Sequence, residues 1–339
     1  MNRQWLFRQH PAAGIPYQQC FEQARVPVPD VGPGQFLVAN RCFSIEPAMV
    51  PWMQSLTDYM VPQLVGAPML SWATAEVVAS RHPDFAKGDR VSGTFGWQDY
   101  CLSNGLDING DIVVQVPAGA SDEAAMSALW ISGLTAFIGL YEVGKPVPGD
   151  TVLVSGAAGS VGNLVGQLAK LAGCKVVGIA GSDEKCQWLQ QTLGFDASVN
   201  YKTQDVPAAI AAHCPDGVDI YWDNVGGDML NAATGALAIG GRVVLCGFIS
   251  IYEDFSNIPS LHNWLAIAGN RGSMTGFNVT FHKDKYAAAT TRLKRLLDDG
   301  QLHLAIDALN GFDQLPESLN RIYQGKNIGK QLVHNDLQR

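Results

Sequence analysis

Over the first 117 residues the hydrophobic positions fall in short runs broken by Gly and Pro, at 36–40, 76–80, 90–92 and 112–116. Runs of that length between turn residues predict strands, so the chain opens β-rich. The pattern changes at Ser121, which can cap a helix whose first turn sets Asp122 and Glu123 against the positive end of the helix dipole. From Thr151 onward, apolar runs at 151–155, 175–180, 197–199, 218–222, 242–246 and 273–279 read as strands, with helical segments between most of them. That alternation predicts an α/β protein with a doubly wound parallel sheet covered on both faces. A later helix over 286–299 stops at Gly300, a natural left-handed position, and from about His303 the tail reads as irregular. No internal repeat or low-complexity tract interrupts this order.

Composition narrows the class. A chain of 339 residues carries a length prior of roughly two domains. With 47% hydrophobic and 16% charged residues it has the material for large buried cores, which excludes a disordered or coiled-coil chain. Lys and Arg number 23 against 31 Asp and Glu, a net charge of −8, and the basic residues are dispersed, so nucleic acid is excluded as a partner. Seven cysteines at 20, 42, 101, 174, 186, 214 and 246 show no C-x2-C spacing, so neither a disulfide framework nor a structural zinc site is written, and a reducing cytoplasm fits. Arg3, Arg8 and His10 break up any secretory signal at the start of the chain. Two long uncharged stretches, 124–141 and 151–169, carry too many Ser, Asn, Gln and Gly residues for membrane spans.

The chemistry concentrates after the first strand of the alternating region. Thr151-Val152-Leu153-Val154-Ser155 runs into Gly156-Ala157-Ala158-Gly159-Ser160-Val161-Gly162, and then into a helical stretch over 163–172. Strand, glycine turn and helix in a βαβ unit predict a dinucleotide site of the Rossmann kind, although small residues at this spacing also serve close helix packing. Helix N-terminal amides attract a pyrophosphate, and glycine lets the backbone approach it. Gly159 and Gly162 stand at that position. The next strand, 175–180, ends without an acid; Gly181 and Ser182 leave room there and Lys185 brings positive charge, which favours NADP(H) over NAD(H). Asp183 argues the other way, and Ser182, Asp183 and Lys185 also read as a plain helix cap.

The phosphate loop, Gly181-Ser182-Asp183-Glu184-Lys185, Asn200-Tyr201-Lys202, Asp223-Asn224-Val225-Gly226-Gly227, Cys246-Gly247-Phe248-Ile249-Ser250-Ile251-Tyr252 and Gly325-Lys326-Asn327-Ile328-Gly329-Lys330 occur in this order over residues 156–330. Together they resemble the medium-chain dehydrogenase/reductase superfamily, in its zinc-independent leukotriene B4 12-hydroxydehydrogenase, prostaglandin reductase and curcumin reductase branch. The resemblance implies a GroES-like catalytic domain made of both chain ends, 1–125 and 303–339, and a Rossmann NADP(H)-binding domain over 126–302. It implies a homodimer that uses NADPH to reduce a carbon–carbon double bond conjugated to a carbonyl. It also puts Gly159, Ser160, Val161 and Gly162 at the pyrophosphate and Lys185 with Tyr201 at the 2′-phosphate. Asn224 and the loop Cys246, Gly247, Phe248, Ile249, Ser250 to Tyr252 would hold ribose and nicotinamide, with Phe277, Asn278, Val279 and Asn327 closing over the cofactor. The branch usually reads Asp-Pro-Tyr-Met-Arg where this chain has Glu46-Pro47-Ala48-Met49-Val50, and Trp130 and Ser132 replace the usual Gly and Pro. Those positions border the substrate pocket in the family.

Zinc-dependent relatives would show an early Cys ligand and a Gly-His-Glu segment. Ser44-Ile45-Glu46 and Ser71-Trp72-Ala73 stand there instead, and no metal is expected. Conjugate reduction needs only a placed hydrogen-bond donor for the charge arriving on the carbonyl oxygen. Tyr252 is the candidate, since a phenol with an ordinary pKa near ~10 is protonated at neutral pH; it also reads as an aromatic packing beside the nicotinamide. Two other functions use the same cofactor loop: an NADPH:quinone reductase and a non-catalytic NADPH-binding protein.

Overall fold

The computed structural model describes residues 1–12, 14–54, 56 and 60–337. The chain divides into two units, Met1–Ser127 with Ile306–Arg339, and Ala128–Ala305. In the first, β1 (Asn2–Phe7) and β2 (Phe21–Val26) pair antiparallel as a separate hairpin. There follow β3 (Phe36–Ser44), the short helix α1 (Met49–Met53), β4 (Trp72–Ser80), β5 (Arg90–Thr94), β6 (Tyr100–Ser103), β7 (Val114–Gln115) and α2 (Asp122–Met126). β3 pairs antiparallel with both β4 and β6, and β5 bridges β4 to β7. β3 runs past the apolar stretch that announces it, through Arg41 to Ser44. The ladder is made by backbone groups, and a buried polar residue continues it when its side chain finds a partner, as Asn40 does by donating to the Gln98 carbonyl at 2.8 Å.

Ser121 caps α2 as expected, its hydroxyl accepting from the Ala124 amide at 3.1 Å. Asp122 in the first turn accepts from Arg41 at 2.9 Å and from Arg90 at 2.6 Å, tying α2 to β3 and β5. Burial works against the ionised carboxylate, but these two guanidinium groups hold its pKa below the ordinary aspartate value. A carboxyl lowered in the folded state stabilises the fold above the ordinary aspartate range and loses that contribution as pH falls through its folded value. Asp122→Asn should therefore lower stability by about 1–2 kcal/mol at neutral pH, both guanidinium groups being partly solvated. In urea unfolding the gap from wild type should narrow below about pH 4. An equal gap at pH 7 and pH 3 would remove the ion network from this account.

The second unit holds α3 (Ile131–Gly139), β8 (Thr151–Val154), α4 (Ser160–Leu171), β9 (Lys175–Ala180), α5 (Asp183–Gln191), β10 (Ala197–Asn200), α6 (Val206–His213), β11 (Val218–Asp223), α7 (Gly227–Gly235), β12 (Leu237–Leu245), α8 (Trp264–Gly269), β13 (Ser273–Gly276) and α9 (Tyr286–Asp298). Among the described residues the six strands form one parallel sheet in the order β10-β9-β8-β11-β12-β13. Leu153, Val177, Ile179, Val199, Tyr221 and Val243 pack its core. Burial on both faces explains why these strands read as continuous apolar runs. Strand addition reverses direction between β8 and β11. In open α/β sheets ligands bind at such a switch point, outside the carboxyl ends of the strands.

Two expectations need correction. The strand expected over 273–279 ends at Gly276, because the Asn278 side chain accepts from the Thr280 amide at 3.0 Å and starts a 3-10 turn, Val279–Lys285. The tail is also ordered: β14 (Ile306–Asn310), α10 (Leu315–Tyr323) and β15 (Lys330–His334) return to the first unit, with β15 antiparallel to β3 and parallel to β14. β15 hides in the sequence because Lys330 and Gln331 are buried beside Leu332 and Val333 and break its apolar run.

Candidate functional site

At the carboxyl end of β8 the chain enters the glycine turn and α4. Gly159 is the N-cap of α4 and supplies no side-chain acceptor, so the first-turn amides of Ser160, Val161 and Gly162 have no capping oxygen. A Cβ on Gly162 would stand 2.4 Å from the Gly156 carbonyl oxygen and 2.8 Å from the Ala157 Cα, so a side chain there would force the turn open. An uncapped helix end behind a turn this tight fits a pyrophosphate, which would take the place of the missing cap.

Across the switch point, Asp223 ends β11 fully buried. Its Oδ1 accepts from the Ser155 hydroxyl at 3.0 Å, the Tyr221 hydroxyl at 2.7 Å, and the amides of Val225 and Gly226 at 3.1 and 3.0 Å. Burial raises its pKa, against the lowering effect of these donors. Its carbonyl accepts from the amides of Cys246 and Gly247 at 2.9 and 3.0 Å. One residue thus joins the end of β8, its own turn and the loop after β12. Asn224 reinforces the join, donating to the Ser155 carbonyl at 2.7 Å and accepting from the Trp222 indole at 3.0 Å. The sequence motifs contain Asp223 but do not show this role, nor those of Ser155 and Tyr221. The available signal is a carboxylate closing an apolar strand, which must find donors if buried.

The loop after β12 folds back onto this turn. The Ile249 amide donates to the Asn224 carbonyl at 3.3 Å, and Ser250 reaches the Val225 carbonyl through its amide at 3.1 Å and its hydroxyl at 2.6 Å. The Phe248 amide donates to the Tyr252 hydroxyl oxygen at 3.2 Å, and the Tyr252 ring stacks on Phe255 at 6.2 Å between centroids. Cys246 sits just past β12; burial, with Asp223 adding to it, pushes its thiol up to about 12, which keeps it a neutral packing group.

At the carboxyl end of β9, a Cβ on Gly181 would lie 3.0 Å from the Tyr201 ring and 3.1 Å from its hydroxyl, so the tyrosine closes over the strand end. The Ser182 hydroxyl accepts from the Lys185 amide at 3.3 Å and caps α5. Lys185 is half-buried and Tyr201 exposed, with Lys202 over the Tyr201 ring at 5.9 Å. Phe277 and Val279 are buried, Phe277 against Trp222 at 6.3 Å, while Asn278 is spent on its own turn. Asn327 belongs to the other unit, where its side chain donates to the Gly329 carbonyl at 2.9 Å.

In the first unit, Ser44, Glu46 and Ser71 are the residues that the resemblance sets at the zinc-ligand positions. Lys330, fully buried, bonds to Glu46 and donates to the Ile45 carbonyl at 3.1 Å; the Ser44 hydroxyl donates to Glu46 at 2.6 Å, and that of Ser71 to the Ser44 carbonyl at 3.0 Å. A buried ammonium and hydroxyls form a poor donor set for zinc, and among the described residues no three His, Cys, Asp or Glu side chains gather to hold a metal.

A doubly wound sheet with a glycine turn at its switch point, in a chain that also carries a mixed β-rich unit, is the fold of an oxidoreductase of the medium-chain dehydrogenase/reductase type. Residues 3–110 match the family of the N-terminal domain of oxidoreductase, and residues 160–295 match the zinc-binding dehydrogenase family. The chain is 34% identical to a 2-alkenal reductase (NADP(+)-dependent) of Nicotiana tabacum over 98% of this chain and 97% of that protein. It is 31% identical to the NADPH-dependent curcumin reductase of Escherichia coli, over 98% and 96%. The crystal structure of CurA from Vibrio vulnificus in complex with NADPH superposes with a TM-score of 0.91 at 31% identity, over 99% and 100%. The chain belongs to the medium-chain dehydrogenase/reductase superfamily, in the branch of prostaglandin reductase, curcumin reductase and alkenal reductase. Among the described residues no helix is long and apolar enough to cross a membrane.

Proposed function

We propose that this protein is an NADPH-dependent reductase of carbon–carbon double bonds conjugated to a carbonyl, acting on enones or enals without a metal. The observation that carries the reading is the uncapped α4 N-terminus at the switch point; Lys185 in the first turn of α5 and Tyr201 against Gly181 are the groups we assign to a 2′-phosphate. Relatives whose names specify NADPH and alkenal or curcumin reduction support it. When bound, NADPH supplies the hydride that adds to the β-carbon. The chain supplies the rest. Asp223 and Asn224 keep the strand ends and the loop over 246–252 in one arrangement, so the site does not reorganise as charge develops. The Tyr252 hydroxyl is the hydrogen-bond donor for the carbonyl oxygen that becomes an enolate, and the α-carbon then takes a proton from solvent water, which completes the addition of hydride and proton across the double bond. Glu46 is held by Lys330 and Ser44, so its carboxylate is already paired within the first unit. The protein works as a homodimer on small unsaturated carbonyl compounds.

The test is incubation with NADPH and a panel of enones, enals and quinones, with products identified by mass. Saturated ketones or aldehydes are expected, at a rate that survives prolonged chelator treatment. Hydroquinone as the sole product, or activity restored by zinc alone, would overturn the reading.

A further inference from the structure

We infer that Asn200 is a positioning residue for cofactor choice: it holds the Asp183 carboxylate toward β10, away from the place where a 2′-phosphate would sit. The inference rests on the NADP(H) reading above. In a doubly wound sheet, an acid near the end of the second strand binds the ribose 2′-hydroxyl and repels a 2′-phosphate. This chain carries such an acid, since Asp183 lies three residues beyond Ala180, the last residue of β9, and is exposed. Left to rotate freely, it would work against the charge that Lys185 brings.

Asn200 prevents this. It is the last residue of β10, 5% exposed, and its Nδ2 donates to Asp183 Oδ1 at 2.7 Å. Its orientation is settled by a second contact, because its Oδ1 accepts from the Lys202 amide at 3.1 Å and the amino end must then face Asp183. Its own amide donates to Gln204 Oε1 at 2.7 Å, which fixes the backbone beneath the side chain. β10 is the outermost strand beyond β9, on the side opposite the β8/β11 switch point. Asp183, Cys186, Gln187 and Gln190 repeat at helical spacing and line one cleft with Asn200 and Gln204. Lys185, two residues on from Asp183, lies about 200° around α5 on another face. The hydrogen bond to Asn200 therefore draws the carboxylate into the cleft on the β10 side, on a face of α5 other than the one that carries Lys185.

The test compares NADPH and NADH dissociation constants, by fluorescence titration of the full chain, in wild type, Asn200→Asp and the double variant Asn200→Asp/Asp183→Asn. Asn200→Asp keeps an acceptor for the Lys202 amide and replaces the donor facing Asp183 by a repelling carboxylate. NADPH binding should weaken by about fivefold or more with NADH changed by less than about twofold. The double variant rebuilds the contact with donor and acceptor exchanged, and should return NADPH to within about twofold of wild type. Equal losses for both cofactors, unchanged NADPH binding in Asn200→Asp, or a loss that persists in the double variant would each overturn the inference. If Asn200→Asp does not fold, Asn200→Ala should shift the same ratio by about threefold, and an unmoved ratio overturns the inference equally. Wild-type preference for NADH is read before any substitution, and it would defeat the cofactor reading itself.

Discussion

Tyr252→Phe is expected to lower the rate of hydride transfer to an enone by about thirtyfold to a thousandfold, the effect of removing one donor worth ~2–4 kcal/mol at the transition state. The substitution keeps the ring, so stacking on Phe255 survives. It also removes the oxygen that accepts from the Phe248 amide, which anchors the loop over 246–252. Losing that neutral hydrogen bond should weaken NADPH by no more than roughly tenfold, through ~0.5–1.5 kcal/mol. The two losses separate in single-turnover experiments with saturating deuterated cofactor, where binding no longer contributes and the chemical step is read directly. If hydride transfer is unchanged while only NADPH affinity falls, Tyr252 is a loop anchor and the enolate draws its donor from elsewhere.

Lys185→Ala should weaken NADPH by roughly ten- to a hundredfold and leave NADH nearly unchanged, because a charge-assisted contact to a 2′-phosphate is worth ~1.5–3 kcal/mol and NADH lacks that group. The Lys185 backbone amide, which meets the Ser182 hydroxyl, is untouched by the change, so the cap of α5 remains. Raising ionic strength should shrink the difference between wild type and variant, as screening weakens the contact. Equal losses for both cofactors would mean that Lys185 serves the fold. Paired with the Asn200 variants, this measurement separates the charge that attracts the phosphate from the group that keeps a competing charge aside.

Much of this was legible in the chain itself. The apolar runs at 175–180 and 218–222 and the Gly156–Gly162 turn between strand and helix announced a parallel sheet with a glycine turn at its switch point, because strands buried on both faces and a tight strand-to-helix turn each restrict composition locally. The Ser121 cap and the stop at Gly300 were legible for the same reason: each is decided within a few residues. The strands of the tail were not, since β15 carries a buried Lys330 whose partner Glu46 stands 284 positions away, and no local pattern marks a polar residue as buried. The bond from Ser155 to the Asp223 oxygen that also serves Tyr221, Val225 and Gly226 close by in the chain, and the hold of Asn200 on Asp183, were likewise decided only when parallel pairing brought separate strand ends together. By itself, then, the sequence determined the class of fold, most elements of the alternating sheet and the glycine turn that follows its first strand, each set by neighbours along the chain. Tertiary structure alone decided which charges are paired and which way they face, because those contacts join residues that only the folded sheets make neighbours.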